Sequence, residues 1–164
     1  MSDHLPIAQM REELRRTQRD FLDILNGADA RTLHHRAADG VWTLAEVLAH
    51  VSNARQFFGG EAARAVAAPN SLVGRMIQDA GRLAAVRDRG QDSADALRKA
   101  IVASHEQLMG VLEKLSDEDL KIPAEHVNPK FGRLSIGDFL LHFIVEHDQK
   151  HVEQARRSLA NAKQ

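Results

Sequence analysis

The sequence predicts an all-α fold, a four-helix bundle with an additional helical excursion between its second and third main helices. Three observations predict it. Apolar residues recur at helical spacing in four long stretches, helix-starting residues stand at their N-terminal ends, and no convincing alternating strand pattern occurs. At 164 residues the chain is long enough for one domain with a proper core and too short to expect two, so a single domain over 1–164 is expected.

The first main helix is expected from about Pro6, a residue favoured in an opening turn, to the stop signal Asn26-Gly27. Ile7, Met10, Leu14, Phe21, Leu22 and Leu25 give it an apolar stripe. A connector, "ADARTLHHRAADGVW", follows. The second helix opens at Thr43, where Thr43-x-x-Glu46 is a capping-box pattern, and runs past Phe58. Gly59-Gly60 invites a break, beyond which the Ala-rich stretch can resume. "NSLVGRMIQDAGRLAAVRDR", residues 70–89, reads as the excursion, although Gly74 and Gly81 lower its helix propensity. The third helix starts near Asp92 or Ser93 and carries Leu97, Ile101, Leu108, Val111, Leu112 and Leu115. "SDEDLKIPAEHVNPKFGR" reads as a long loop, and Ser135 caps a fourth helix that continues to about Ala160. Long connections of this kind suit a bundle.

Composition removes several function classes. Without cysteine there is no disulfide, no protein thiolate and no Cys-ligated metal. A formal net charge of −1 offers no global attraction to nucleic acid or an anionic membrane, and neither partner is expected. Arg11, Arg15, Arg16 and Arg19 read as a solvated helix face, because Glu12, Glu13 and Asp20 interleave with them. No signal-peptide pattern and no apolar run long enough to span a bilayer appears, so the cytoplasm is the expected location.

Histidine is the unusual abundance, with nine. On a wheel of about 100° per residue, Ile136, Phe139, Leu140, Phe143 and Ile144 share a stripe that His147 and His151 continue, with Gln154 after them. His142 falls on the opposite side. Two imidazoles four residues apart are neighbours on one helical face, the H-x-x-x-H arrangement of metal sites. The competing reading is a pair of core histidines satisfied by carbonyls, water or a carboxylate. A third donor must come from another helix, and His50, at the edge of the face formed by Val47, Val51, Ala54 and Phe58, is the candidate; a half-exposed boundary histidine explains it equally well. His34 and His35 suit a surface role, and His4 and His126 are expected to be solvated. Glu-x-x-His pairs, H-E-x-x-H and a Gly-x-Ser-x-Gly elbow are all absent.

"VWTLAEVLAHVSNA" and "LSIGDFLLHFIVEHDQKHVEQ" together resemble the two signatures of the DinB/YfiT-like superfamily. The resemblance covers nearly the whole chain. It implies a four-helix bundle, assembly as a homodimer, a small-molecule substrate and a divalent metal ion held by His50, His147 and His151. Three imidazole donors suit zinc, nickel or another late divalent ion. With no fourth protein ligand, positions are left for water or substrate. The resemblance further implies either a low-molecular-weight thiol as co-substrate of an S-transferase or a hydrolase. A non-catalytic metal- or ligand-binding dimer is the alternative. For Glu46, a role as acceptor for His50 or as a catalytic base competes with the helix cap it already explains. Trp42 reads as a packing anchor, and Gln154 as an orienting group or an interhelical hydrogen-bond partner.

Overall fold

The computed structural model describes residues 4–164. The main helices are α1 (Ile7–Asn26), α3 (Leu44–Ala67), α5 (Ala94–Glu113) and a C-terminal rod. The rod consists of α6 (Ile136–Leu140), a π-helical segment (Leu141–Val145) and α7 (Glu146–Ala162). Two minor helices lie in the connections, α2 (Ala30–Leu33) and α4 (Ala80–Arg89). Both α1 and α3 pack against α5 and α7, so these two consecutive main helices occupy opposite corners of the bundle. The long connections make that arrangement reachable.

The starts form where the sequence places them. Thr43 Oγ1 accepts from Glu46 N at 3.1 Å while Glu46 Oε2 accepts from Thr43 N at 2.8 Å, a reciprocal cap. Ser93 and Ser135 cap α5 and α6, their hydroxyl oxygens accepting from Ala96 N and Asp138 N. The pair Gly59-Gly60 does not interrupt α3; Gly59 lies against Leu108, so the small residue lets α3 and α5 approach closely. Helix in the excursion is confined to α4, and residues 70–79 are not helical.

One expectation is corrected by the late connection. Instead of a plain loop, it contributes β2 (Pro123–His126) and β3 (Arg133–Ser135), which join β1 (Leu72–Val73) of the excursion in a small sheet ordered β1-β2-β3. β1 pairs parallel with β2, Val73 opposite His126, and β2 pairs antiparallel with β3. Strands this short carry no readable alternation, and their pairing joins segments some fifty residues apart in sequence. His126 is buried rather than solvated, because this pairing lays its ring on Phe143, 4.8 Å away and nearly parallel. His4, also expected in solvent, is half-buried against Gly137.

The core has two apolar halves. One gathers Met10, Leu14, Phe58, Leu108, Phe139 and Ile144; the other gathers Phe21, Leu48, Val51, Leu97, Ile101 and Val152. Between them lies a buried polar layer with one side chain from each main helix: Gln18, Arg55, Ser104 and Asp148. Arg55 Nε donates to Asp148 Oδ2 at 2.9 Å, and its Nη1 donates to Gln18 Oε1 at 2.9 Å and to Ile101 O at 3.1 Å.

Candidate metal centre

Where α3 faces α7, three ring nitrogens meet. His50 Nε2 lies 3.0 Å from His147 Nε2, and His151 Nε2 lies 3.1 Å from that same atom. The three donors all fall within 4.8 Å of one another. His50, on a buried face of α3, comes from one side. A helical i, i+4 spacing sets the other two, and their ring centroids are 4.3 Å apart. Trp42, 5.1 Å from the His50 ring, and Phe58, 6.2 Å from the His147 ring, wall the cluster. His50 and His151 are buried, and His147 is half-buried.

Hydrogen bonding fixes which nitrogen of His151 is bare. Its Nδ1 lies 2.7 Å from Gln154 Oε1, an acceptor, so Nδ1 carries the proton and Nε2 presents a lone pair. That leaves His147 Nε2 between two imidazole nitrogens. If it carries a proton, it can donate to His151 and has nothing for His50. If it is bare, it can accept from His50 and faces the lone pair of His151. Neutral rings therefore satisfy one contact and leave the other unfavourable. A cation shared by three lone pairs removes the conflict. Nitrogens about 2.0–2.1 Å from one ion lie about 2.9 Å apart at a right angle and about 3.3 Å apart at the tetrahedral angle. Both short spacings fall inside that range and the third pair lies within 4.8 Å, so the donor set suits a divalent ion that draws the outer two rings together.

Protonation does not compete at neutral pH. Burial, with His151 and then the charges of Arg82, Arg75 and Lys150 adding to it, pushes His50 down to about 2. Burial likewise lowers His147 far below the ordinary imidazole value, helped by its two histidine neighbours. His151 is pushed down to about 4, chiefly by burial and against the opposing bond from Gln154. All three are neutral in the form that ligates metal.

The other sequence candidates separate clearly. Glu46 caps α3, and both of its oxygens also accept from Arg36, at 2.6 and 3.1 Å. Burial acts to raise its pKa, but the bonds to Arg36 and Thr43 outweigh it and hold the carboxyl below its usual range. Of its two readings, the structure therefore displays the cap. Gln154 orients a ring of the cluster. His142 is exposed and sits 3.3 Å from Glu146. His34 is exposed.

Two residues near the centre escaped the sequence reading. Arg75 lies over Phe57 and Phe58, and Arg82 over Trp42. No spacing rule reveals them, because Arg75 follows a strand placed by pairing with a distant segment and Arg82 opens a short helix just beyond it.

Residues 13–155 match the family model of the DinB superfamily. Among solved structures, YfiT from Bacillus subtilis, described as a probable metal-dependent hydrolase with an unusual four-helix bundle topology, is 12% identical with a TM-score of 0.79. The match covers 96% of this chain and 90% of that one. A mycothiol-dependent maleylpyruvate isomerase is 14% identical with a TM-score of 0.67, and 96% of this chain spans 60% of it. At these identities the likeness is one of fold. No curated protein matches the sequence.

Proposed function

We propose that this chain, which belongs to the DinB superfamily, is a metal-dependent enzyme whose centre is formed by His50, His147 and His151. The observation carrying the proposal is the convergence of three neutral Nε2 atoms from two helices, with no fourth donor in the group among the described residues. Three protein ligands and open positions form the layout of a catalytic centre rather than a structural one. A divalent ion there, zinc or nickel by donor type, supplies Lewis acidity to a thiol or water sharing its coordination sphere.

The chain's own residues do the rest. Gln154 holds His151 in the tautomer that leaves Nε2 free. Trp42 packs beside the His50 ring and Phe58 beside that of His147, which holds the rings in place. The reaction class proposed is transfer to a low-molecular-weight thiol, or hydrolysis, of a small-molecule electrophile. Both neighbours in fold support it, one named for metal-dependent hydrolysis and the other for a thiol.

Conjugation of a chromogenic electrophile with glutathione, mycothiol and bacillithiol, beside hydrolysis of activated esters and amides, tests this against His50→Ala. Turnover lost in the variant supports the enzyme; equal turnover removes it. A non-catalytic metal-binding protein is the second reading. It is favoured by the burial of the centre, since a cavity of about 910 Å³ lies elsewhere, between α3 and α5 beside Gly59, Gly60 and Leu108. Bound metal with no turnover on any substrate supports that reading. Homodimer formation belongs to the same proposal, and sedimentation at the monomer mass would remove it.

A further inference from the structure

Arg75 carries a buried guanidinium whose one ion pair is long. Its side chain is 5% exposed, and its guanidinium lies 4.5 Å from the Phe57 ring centroid and 5.5 Å from that of Phe58. Nε and Nη2 are both buried and have no hydrogen-bond partner. Its ion pair, Nη1 to Asp79 Oδ1, is long at 3.8 Å. A buried charge left this way is among the least favourable features a fold can hold.

Nearby carboxylates are committed elsewhere. Asp79 Oδ1 accepts from Arg82 N at 2.9 Å as the cap of α4. Glu61 is paired with Arg64 and accepts from Gly74 N, Glu46 is paired with Arg36, and Asp148 with Arg55. A second guanidinium adds to the excess, because Arg82 lies 5.3 Å from the centroid of Trp42. Each arginine is therefore one aromatic ring from the histidine cluster, Arg75 through Phe58 to His147 and Arg82 through Trp42 to His50.

The position of Arg75 is fixed. Val73 pairs with His126, and Val127 N donates to Val73 O at 2.9 Å. Gly74 then turns at φ +86°, and a side chain there would run into the His126 ring. The small sheet thus holds the base of Arg75 beside the centre.

We propose that the Nε–Nη2 edge of Arg75 seats a carboxylate, and that the substrates of the three-histidine centre are small carboxylate-bearing molecules. This rests on the enzyme reading above. Nε–H and Nη2–H lie side by side in one plane, the fork that takes both oxygens of a carboxylate. One fork and one charge match that group. A tetrahedral phosphate carries further charged oxygens that one fork does not engage. Access requires the turn at 76–79 to move outward. Met76 and Ile77 on it are exposed, and the bond from Arg82 Nη1 to Ile77 O, 3.1 Å, must yield for it to move.

The test is an NMR titration of the arginine Nε–H resonances of as-purified protein, its metal content measured on the same sample. The probes are propionate, its neutral isostere propionamide, and inorganic phosphate. The Arg75 resonance is identified by its absence in Arg75→Lys. The expected result is saturable movement of that resonance with propionate and none with propionamide. Binding in Arg75→Lys should weaken on the order of tenfold or more, since the lysine keeps the charge and loses the fork. Three results overturn the proposal: no saturation, equal response to propionamide, or equal propionate affinity in Arg75→Lys. Tighter binding of phosphate through Arg75 overturns the carboxylate assignment. The wild-type comparison of acid with amide needs no variant to fold. Carboxylate binding without metal would support the seat while the metal reading fails; metal without carboxylate binding would do the reverse.

Discussion

Gln154 reaches no candidate ligand atom, yet it sets how His151 presents one. Removing its acceptor in Gln154→Leu frees Nδ1 and lets the ring change tautomer. Metal affinity measured by chelator competition should fall about 10–100-fold, the usual effect of losing such a partner, with the fold intact by circular dichroism. Unchanged affinity would show that the bond is incidental. The histidines also make a prediction about pH for metal-free protein. Their folded pKa values are depressed, chiefly by burial, to about 4 for His151 and to about 2 for His50. Unfolded imidazoles protonate near 6.5, so below that pH the unfolded state binds protons that the folded state does not. Stability is thus fully present above about pH 6.5 and is lost as pH falls toward 4. Each such histidine contributes at most about 1.4 kcal/mol per pH unit. Urea denaturation at pH 7.5 and 5 should show the loss, and a flat profile would contradict the neutral, buried assignment. At this scale the His147–His151 pair could be read from the sequence because spacing on a helix is local information, whereas His50, on another helix, was assigned through the family resemblance. Arg75 could not, because its burial depends on a strand pairing with residues fifty positions away.

The π-helical segment explains where the helical wheel went wrong. Before it, Ile136, Phe139 and Leu140 are buried as a regular helix predicts. After it, the buried residues of α7 are Asp148, His151, Val152, Ala155 and Ala162. That stripe is rotated by about one residue, roughly 100°. The extra residue in the turn carries Asp148 inward to Arg55 and moves His147 to the edge of the core. The H-x-x-x-H pair kept its spacing because it lies wholly beyond the turn, whereas nothing local marked Asp148 as buried. Burial pushes the Asp148 carboxyl up, with Arg55 opposing it. Asp148→Ala should therefore cost about 3–5 kcal/mol, by stranding Arg55. The double variant Arg55→Met/Asp148→Leu should recover most of that in chemical denaturation; no recovery would mean the layer does more than pair charges. The caps were legible, and Thr43→Ala should cost about 1 kcal/mol while leaving metal affinity unchanged. A parallel loss of metal would return Glu46 to the centre.

At the scale of the molecule, length, helical periodicity and capping were enough to read the bundle and its excursion. The small sheet and the opposite-corner placement of α1 and α3 depend on contacts between distant segments, for which the sequence carries no local pattern. The polar layer binds all four main helices at mid-height, and the histidine cluster sits beside it on the α3–α7 face. Metal bound there would link the second main helix to the last. Binding stabilises whatever holds the ligand and not the unfolded chain, so a chelator should lower the melting temperature of wild type and leave His147→Ala unmoved. The most direct measurement is anomalous scattering from crystals of tag-free protein loaded with zinc. The account predicts one strong peak about 2.0–2.1 Å from Nε2 of His50, His147 and His151 together. A peak that omits His50, or none at saturating zinc, would contradict it.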